Sequence, residues 1–147
     1  MTRDPHQRTR ILIADDNDEV LELVRVLLGR AGHQVLIACD GRTALRGLFT
    51  RRPDLMVVNL DIPVLDGWRV LESVRHLSDL PVIVLSSSDN EFDHARALRA
   101  GADDWVHTPC SGELLLERIE AALDIVAEPE PEIDDGITVV DLLQRRG

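Results

Sequence analysis

The sequence contains no apolar run near the roughly 20 residues that a membrane-spanning helix needs, and its start, MTRDPHQRTR, lacks the apolar core of a secretory signal. The expectation is a cytoplasmic chain with no membrane contact. Cysteine is scarce: Cys39 and Cys110 are two thiols at unrelated spacing, which excludes a disulfide framework or a zinc site and fits a reducing compartment. Both are expected as small buried hydrophobes. Basic residues are also few, 16 against 27 acidic ones, and the formal charge of −11 would repel a phosphate backbone. Direct nucleic-acid binding is excluded unless another domain carries the chain there. The rest of the composition is ordinary: 147 residues at 44% hydrophobic content suit one domain with a full core and a short appendage.

The stretch PDLMVVNLDIPVLDG, residues 53–67, organises the rest. Leu55 to Val58 is too short an apolar run for a helix, and Pro63 and Asp66-Gly67 punctuate the residues after it, so a buried strand is expected to end at Asn59. Apolar side chains on both faces imply a parallel sheet covered by helices. In such sheets ligands bind beyond the carboxyl ends of the strands, which puts Asn59 and the loop from Leu60 to Asp66 at the mouth of a site.

Residues 1–9 are a polar leader. Arg10 to Asp15 is a first strand, and after it comes a helix capped at Asn17 or Asp18, with Val20, Val24, Leu27 and Ala31 at helical spacing and Gly32 as its stop. Val35 to Ala38 is a second strand, and Asp40 caps a helix with the stripe Ala44, Leu45, Leu48 and Phe49. Asp66 caps a third helix through Trp68, Val70, Leu71 and Val74. Pro81 to Leu85 is a fourth strand, with Ser86, Ser87 and Ser88 at its carboxyl end. Ser88 to Glu91 fits a capping box that opens a helix to Ala100, closed by Gly101. Trp105-Val106 is a fifth strand, and Ser111 caps a last helix carrying Leu115, Ile119, Ala122 and Val126. The strict alternation predicts an α/β fold, a doubly wound five-stranded parallel sheet over residues 10–126. Beyond it stand an acidic, proline-bearing linker, residues 127–135, and a short tail, residues 136–147.

Asp15-Asp16, PDLMVVN-LDIP-VLDG, PVIVLSS and GADDW-V-H-TP stand in an order and spacing that resembles the receiver domain of bacterial response regulators, with its flavodoxin-like fold. In that family the acidic pair holds magnesium, an Asp ending the third strand accepts a phosphoryl group, and a Lys before the proline of the last loop steadies it. The resemblance implies that Asp15 and Asp16 are the acidic pair, Ser86 the hydroxyl switch residue and Trp105 the switch aromatic. Asn59 then stands at the phosphoacceptor and Thr108 at the lysine. An amide is a poor nucleophile and Thr108 carries no cation, so the ordinary transfer should fail, and Asn59 adds no charge for Ser86 to sense.

The two departures balance. Three aspartates and a lysine give the family's pocket the same formal charge, −2, as two aspartates without a lysine give here. Carboxylates about 4 Å apart repel by roughly 4 kcal/mol at an effective dielectric near 20, so Asp15 and Asp16 need a cation, donors or a shared proton. Weak magnesium binding by Asp15, Asp16 and the amide oxygen of Asn59 is one answer. The resulting expectation is an atypical, phosphorylation-independent receiver, a regulatory module and not an enzyme. It would act through a protein partner or a homodimer on the face made by the helix from Asn90 to Ala100, Trp105 and the last helix, with Asp104 and Arg118 in its charge network. GADDW with ELLLERIEAAL after it resembles receivers that precede winged-helix DNA-binding domains, and the tail weakly resembles the leading strand of one. The alternatives are a conventional phosphorelay through a displaced acceptor, Asp61, and a small-ligand sensor using the rebuilt pocket. Cys110, next to the start of the last helix, is a redox candidate set against a packed thiol. His107, without a second histidine at metal spacing, is a strand residue.

Overall fold

A computed structural model describes residues 8–62 and 64–126. The leader residues 1–7, Pro63, the linker and the tail lie outside the described residues, as do the side chains of residues 124–126. The chain alternates five strands and five helices: β1 (Arg10–Ala14), α1 (Asp18–Arg30), β2 (Gln34–Ala38), α2 (Gly41–Thr50), β3 (Leu55–Asn59), α3 (Gly67–Leu77), β4 (Val82–Ser86), α4 (Glu91–Arg99), β5 (Asp104–His107) and α5 (Gly112–Val126). The strands pair in the order β2-β1-β3-β4-β5. Every pairing is parallel, with Ile13 opposite Val57 and Val58 opposite Val84 at the centre. This is the flavodoxin-like doubly wound sheet.

Two apolar layers arise from the two-residue period of the strands. Ile11, Ile13, Leu55, Val57, Ile83, Leu85 and Val106 face α1 and α5, through Leu21, Val24, Leu28, Leu115, Ile119 and Ala122. Leu12, Ala14, Met56, Val58, Val82 and Val84 face the other side, where Ala44, Val70, Leu71, Val74 and Ala97 come from α2, α3 and α4. Residues Leu55 to Val58 are wholly buried. A parallel sheet covered on both faces accounts for their unbroken apolar run.

The helix caps are Asn17, Asp40 and Asp66, each accepting from main-chain N–H groups of the first turn. Ser111 Oγ accepts from Leu114 N–H at 3.1 Å at the head of α5. The capping box at Ser88 is corrected: Asn90 is the cap of α4, while Ser88 Oγ accepts from Asn90 N–H and donates to Asp93 Oδ2. Other apolar expectations are corrected as well. The buried line of α1 is Leu21, Val24 and Leu28, with Ala31 exposed, and Phe49 of α2 is 60% exposed. Cys39 is exposed, since it lies just past the last residue of β2 on the outer edge strand. Gly32 and Gly101 do end α1 and α4 with φ of +92° and +110°, a conformation that glycine adopts without strain. Among the described residues no helix is long and apolar enough to cross a membrane.

Candidate functional site

In the strand order β1 lies between β2 and β3, so the chain leaves it in opposite directions and a crevice opens at the carboxyl ends of β1 and β3. Asp15 comes directly after β1 and Asn59 ends β3, so topology alone brings them together. Asp15 is buried, and its own N–H donates to Ala38 O. Its Oδ1 accepts from Asn17 N–H at 3.0 Å, and its Oδ2 from Asn59 Nδ2 at 3.3 Å. The Asn59 Oδ1 accepts from Asp61 N–H at 2.9 Å. These two bonds fix the amide, because the reversed orientation would set its oxygen against a carboxylate and its NH2 against an N–H.

Asp15 therefore meets donors, while Asp16 beside it is exposed. The donor set bears on a divalent cation. Among the described residues no group of three or more His, Cys, Asp or Glu side chains is arranged to hold a metal. An amide NH2 cannot ligate, so a cation at Asp15 would have to turn Asn59 and displace its bond. Two carboxylates completed by water remain a donor set that a hard, strongly hydrated ion accepts. Asp61 is exposed beyond Asn59 and joins the cluster through its main-chain N–H.

Ser86, at the end of β4, is 3% exposed, and its Oγ accepts from Ser88 N–H at 3.0 Å. Thr108 N–H donates to Ser86 O at 2.9 Å, so Ser86 and Thr108 meet through main chain. Trp105 is half-buried and its ring stacks on His94 with centroids 5.2 Å apart. Asp104 and Arg118 come together as expected, with Arg118 Nη1 at 2.9 Å from each carboxylate oxygen. His107 ends β5, and its Nε2 lies 2.8 Å from Asp89 Oδ1 across the β4–α4 loop. Cys110 does not carry the lowered pKa that a redox role needs. Burial pushes its thiol up, and it packs against the core facing α1 and α5.

Sequence reasoning missed the partners of α4. Arg96 lies 4.0 Å from the centroid of the Trp68 ring on α3, and His94 meets Trp105 on β5, so the two tryptophans of the chain flank one helix. No spacing signal links residues that far apart. A cleft of about 430 Å³ opens between the β4–α4 loop, α4, β5 and α5, where Asp89, Glu91, His94, Trp105, Leu114 and Arg118 line it.

The sequence matches the response regulator receiver domain family over residues 11–120. The transcriptional regulatory protein PhoP of Bacillus subtilis is 35% identical over 127 residues, 84% of this chain and 53% of that protein. The transcriptional regulatory protein KdpE of Mycobacterium tuberculosis is 36% identical over 142 residues, 94% of this chain and 63% of that protein. Another such relative, AfsQ1 of Streptomyces coelicolor, is matched over 50% of its length, so the chain spans about half of the curated relatives it resembles. Among solved structures, the receiver domain of the Francisella response regulator 1452 superposes with a TM-score of 0.77 at 28% identity, covering 81% of this chain and 99% of that one. With the sheet order, the buried Asp15 and the Ser86 hydroxyl at the carboxyl edge, this match over most of the chain shows that the protein belongs to the response regulator receiver domain family.

Proposed function

We propose that this chain is an atypical receiver that signals without aspartyl phosphorylation, as a binding module and not an enzyme. The observation that carries the reading is the Asn59 amide donating to the buried carboxylate of Asp15. In a working receiver that place holds a carboxylate nucleophile, whose charge needs a cation. Here a neutral donor satisfies Asp15, and Thr108 offers only an uncharged side chain. The Asp61 alternative is weak because Asp61 is an exposed loop residue whose bond to the cluster runs through its main-chain N–H. Magnesium, where it binds, would rest on Asp15 and Asp16 with water completing its shell.

The output belongs to the face of α4, β5 and α5, which Asp104 and Arg118 cross, and its partner is another protein or a second copy of the chain. The pair itself contributes about 0 to 1 kcal/mol, as half-exposed ion pairs do, and serves register more than stability. Relatives whose names are transcriptional regulators support a DNA-binding effector domain as the element this receiver governs. The test is the intact mass after incubation with acetyl phosphate and magnesium. The native chain should keep its mass, whereas a gain of one phosphoryl group would overturn the reading.

A further inference from the structure

The outward side of α2 differs in charge from the rest of this acidic chain. Residues 41–53 contain four arginines and no acidic residue, while the whole chain carries −11. Arg42, Arg46 and Phe49 recur at i, i+4 and i+7, so they form one stripe on the side of α2 opposite the buried Ala44. Both arginines are exposed, and Phe49 is 60% exposed. On the other layer α5 repeats this spacing with the opposite sign: Glu113, Glu117 and Glu120, all exposed, lie opposite the buried Leu115, Ile119 and Ala122. The two stripes cannot meet within one molecule, because the sheet lies between them.

Among the described residues none of these five charges takes part in a salt bridge. Arg42 passes near Asp40, but that carboxylate is held chiefly by Thr43 N–H at 2.8 Å. Like charges at i and i+4 weaken the helix that carries them, so Arg42 with Arg46, and Glu113 with Glu117, are each a strain that an opposite stripe would relieve. We propose that α2 of one copy of this chain docks on α5 of another, with arginines against glutamates and Phe49 as the apolar anchor. Antiparallel helices set Arg42 at Glu120, Arg46 at Glu117 and Phe49 at the Glu113 end. There Leu27 of α1 packs beside Gly112, and Leu23, one turn from Leu27, is 62% exposed. Arginine and aromatic side chains are the usual anchors of protein interfaces. The like net charge of two copies is screened beyond about 8 Å at physiological ionic strength, whereas the facing stripes lie within that distance. Since the two surfaces differ, the contact is heterologous: every copy keeps one free stripe, and association continues past the dimer. This contact is separate from the Asp104–Arg118 face and involves no phosphodonor.

Sedimentation velocity of the full chain, without phosphodonor or magnesium, tests the proposal. The weight-average coefficient should rise with concentration beyond the dimer value at about 50 mM salt and return to that of the monomer at about 500 mM, where screening acts within about 5 Å. Arg42→Glu/Arg46→Glu and Glu117→Arg/Glu120→Arg should each be monomeric. All four positions are exposed, so reversal leaves the core intact. An equimolar mixture of the two variants should associate again, because each then offers the stripe that the other lacks. A native chain that stays monomeric throughout overturns the proposal, as does a mixture that stays monomeric. Association that stops at a dimer and survives both reversals overturns it as well, since its seat is then the face of α4, β5 and α5.

Discussion

Asn59 and Asp15 share one hydrogen bond in a place where two carboxylates would repel, and that bond sets what single substitutions should do. Replacing Asn59 by Asp takes the formal pocket charge from −2 to −3 and sets a second carboxylate against the buried Asp15. The loss of stability without metal should be on the order of a few kcal/mol. Adding Thr108→Lys should restore more than the sum of the single effects, because groups in one network couple; strict additivity in denaturant unfolding would mean independent drift. Magnesium should raise the melting temperature of the native chain modestly, by linkage to the folded state, and Asp16→Asn should remove that response. No shift at millimolar magnesium would mean that donors alone satisfy the pair. Two glycines provide a steric contrast. A Cβ on Gly67 would sit 2.4 Å from Leu60 Cα and 2.5 Å from Asn59 O, main-chain atoms that cannot yield, so Gly67→Ala should cost about 1 to 3 kcal/mol. Gly29 in α1 has nothing within 4 Å, and Gly29→Ala should stabilise by about 0.4 to 1 kcal/mol. The site residues themselves are legible in the sequence because they end strands, where chain order and sheet topology fix position. The direction of the Asn59 amide is not, since it depends on Asp61 N–H and Asp15 at once.

Among the elements, α4 is held least by burial: Ala97 is its one buried residue. What fixes it is polar and aromatic, namely the Asn90 cap, Ser88 to Asp93, Arg96 over Trp68 and His94 on Trp105. Each such contact contributes on the order of 1 kcal/mol, so α4 should open locally before the sheet unfolds. Asn90→Ala should speed exchange across α4 by roughly the fivefold that about 1 kcal/mol allows, with little effect on the amides of β1 and β3; equal acceleration everywhere would show that α4 unfolds only with the whole domain. This helix also marks the limit of sequence reading. Its span is legible, yet Ser88 and Asn90 both carry capping signals two residues apart, and geometry alone decides that Asn90 is the cap. The stripes on α1 and α2 depart from the structure for a related reason. Helical periodicity locates a face only to within about one residue, and Phe49 lies at the exposed margin of α2. Strands read more surely, because an unbroken apolar run fits a sheet buried on both faces.

For the whole molecule, the fold matches that of receivers, and the proposed reading makes that fold separable from phosphorylation. Association through the face of α4, β5 and α5 should be set by sequence alone. Sedimentation with and without acetyl phosphate should therefore give one distribution, and a donor-dependent shift would tie the face to phosphorylation. The most direct measurement is phosphoryl labelling by intact mass, in acetyl phosphate and magnesium, of the native chain beside Asn59→Asp and Asn59→Asp/Thr108→Lys. The predicted result is no labelling of the native chain, poor labelling of the single variant and recovery in the double. A native chain that gains a phosphoryl group, or a single variant that labels as fast as the double while being no less stable, would contradict it.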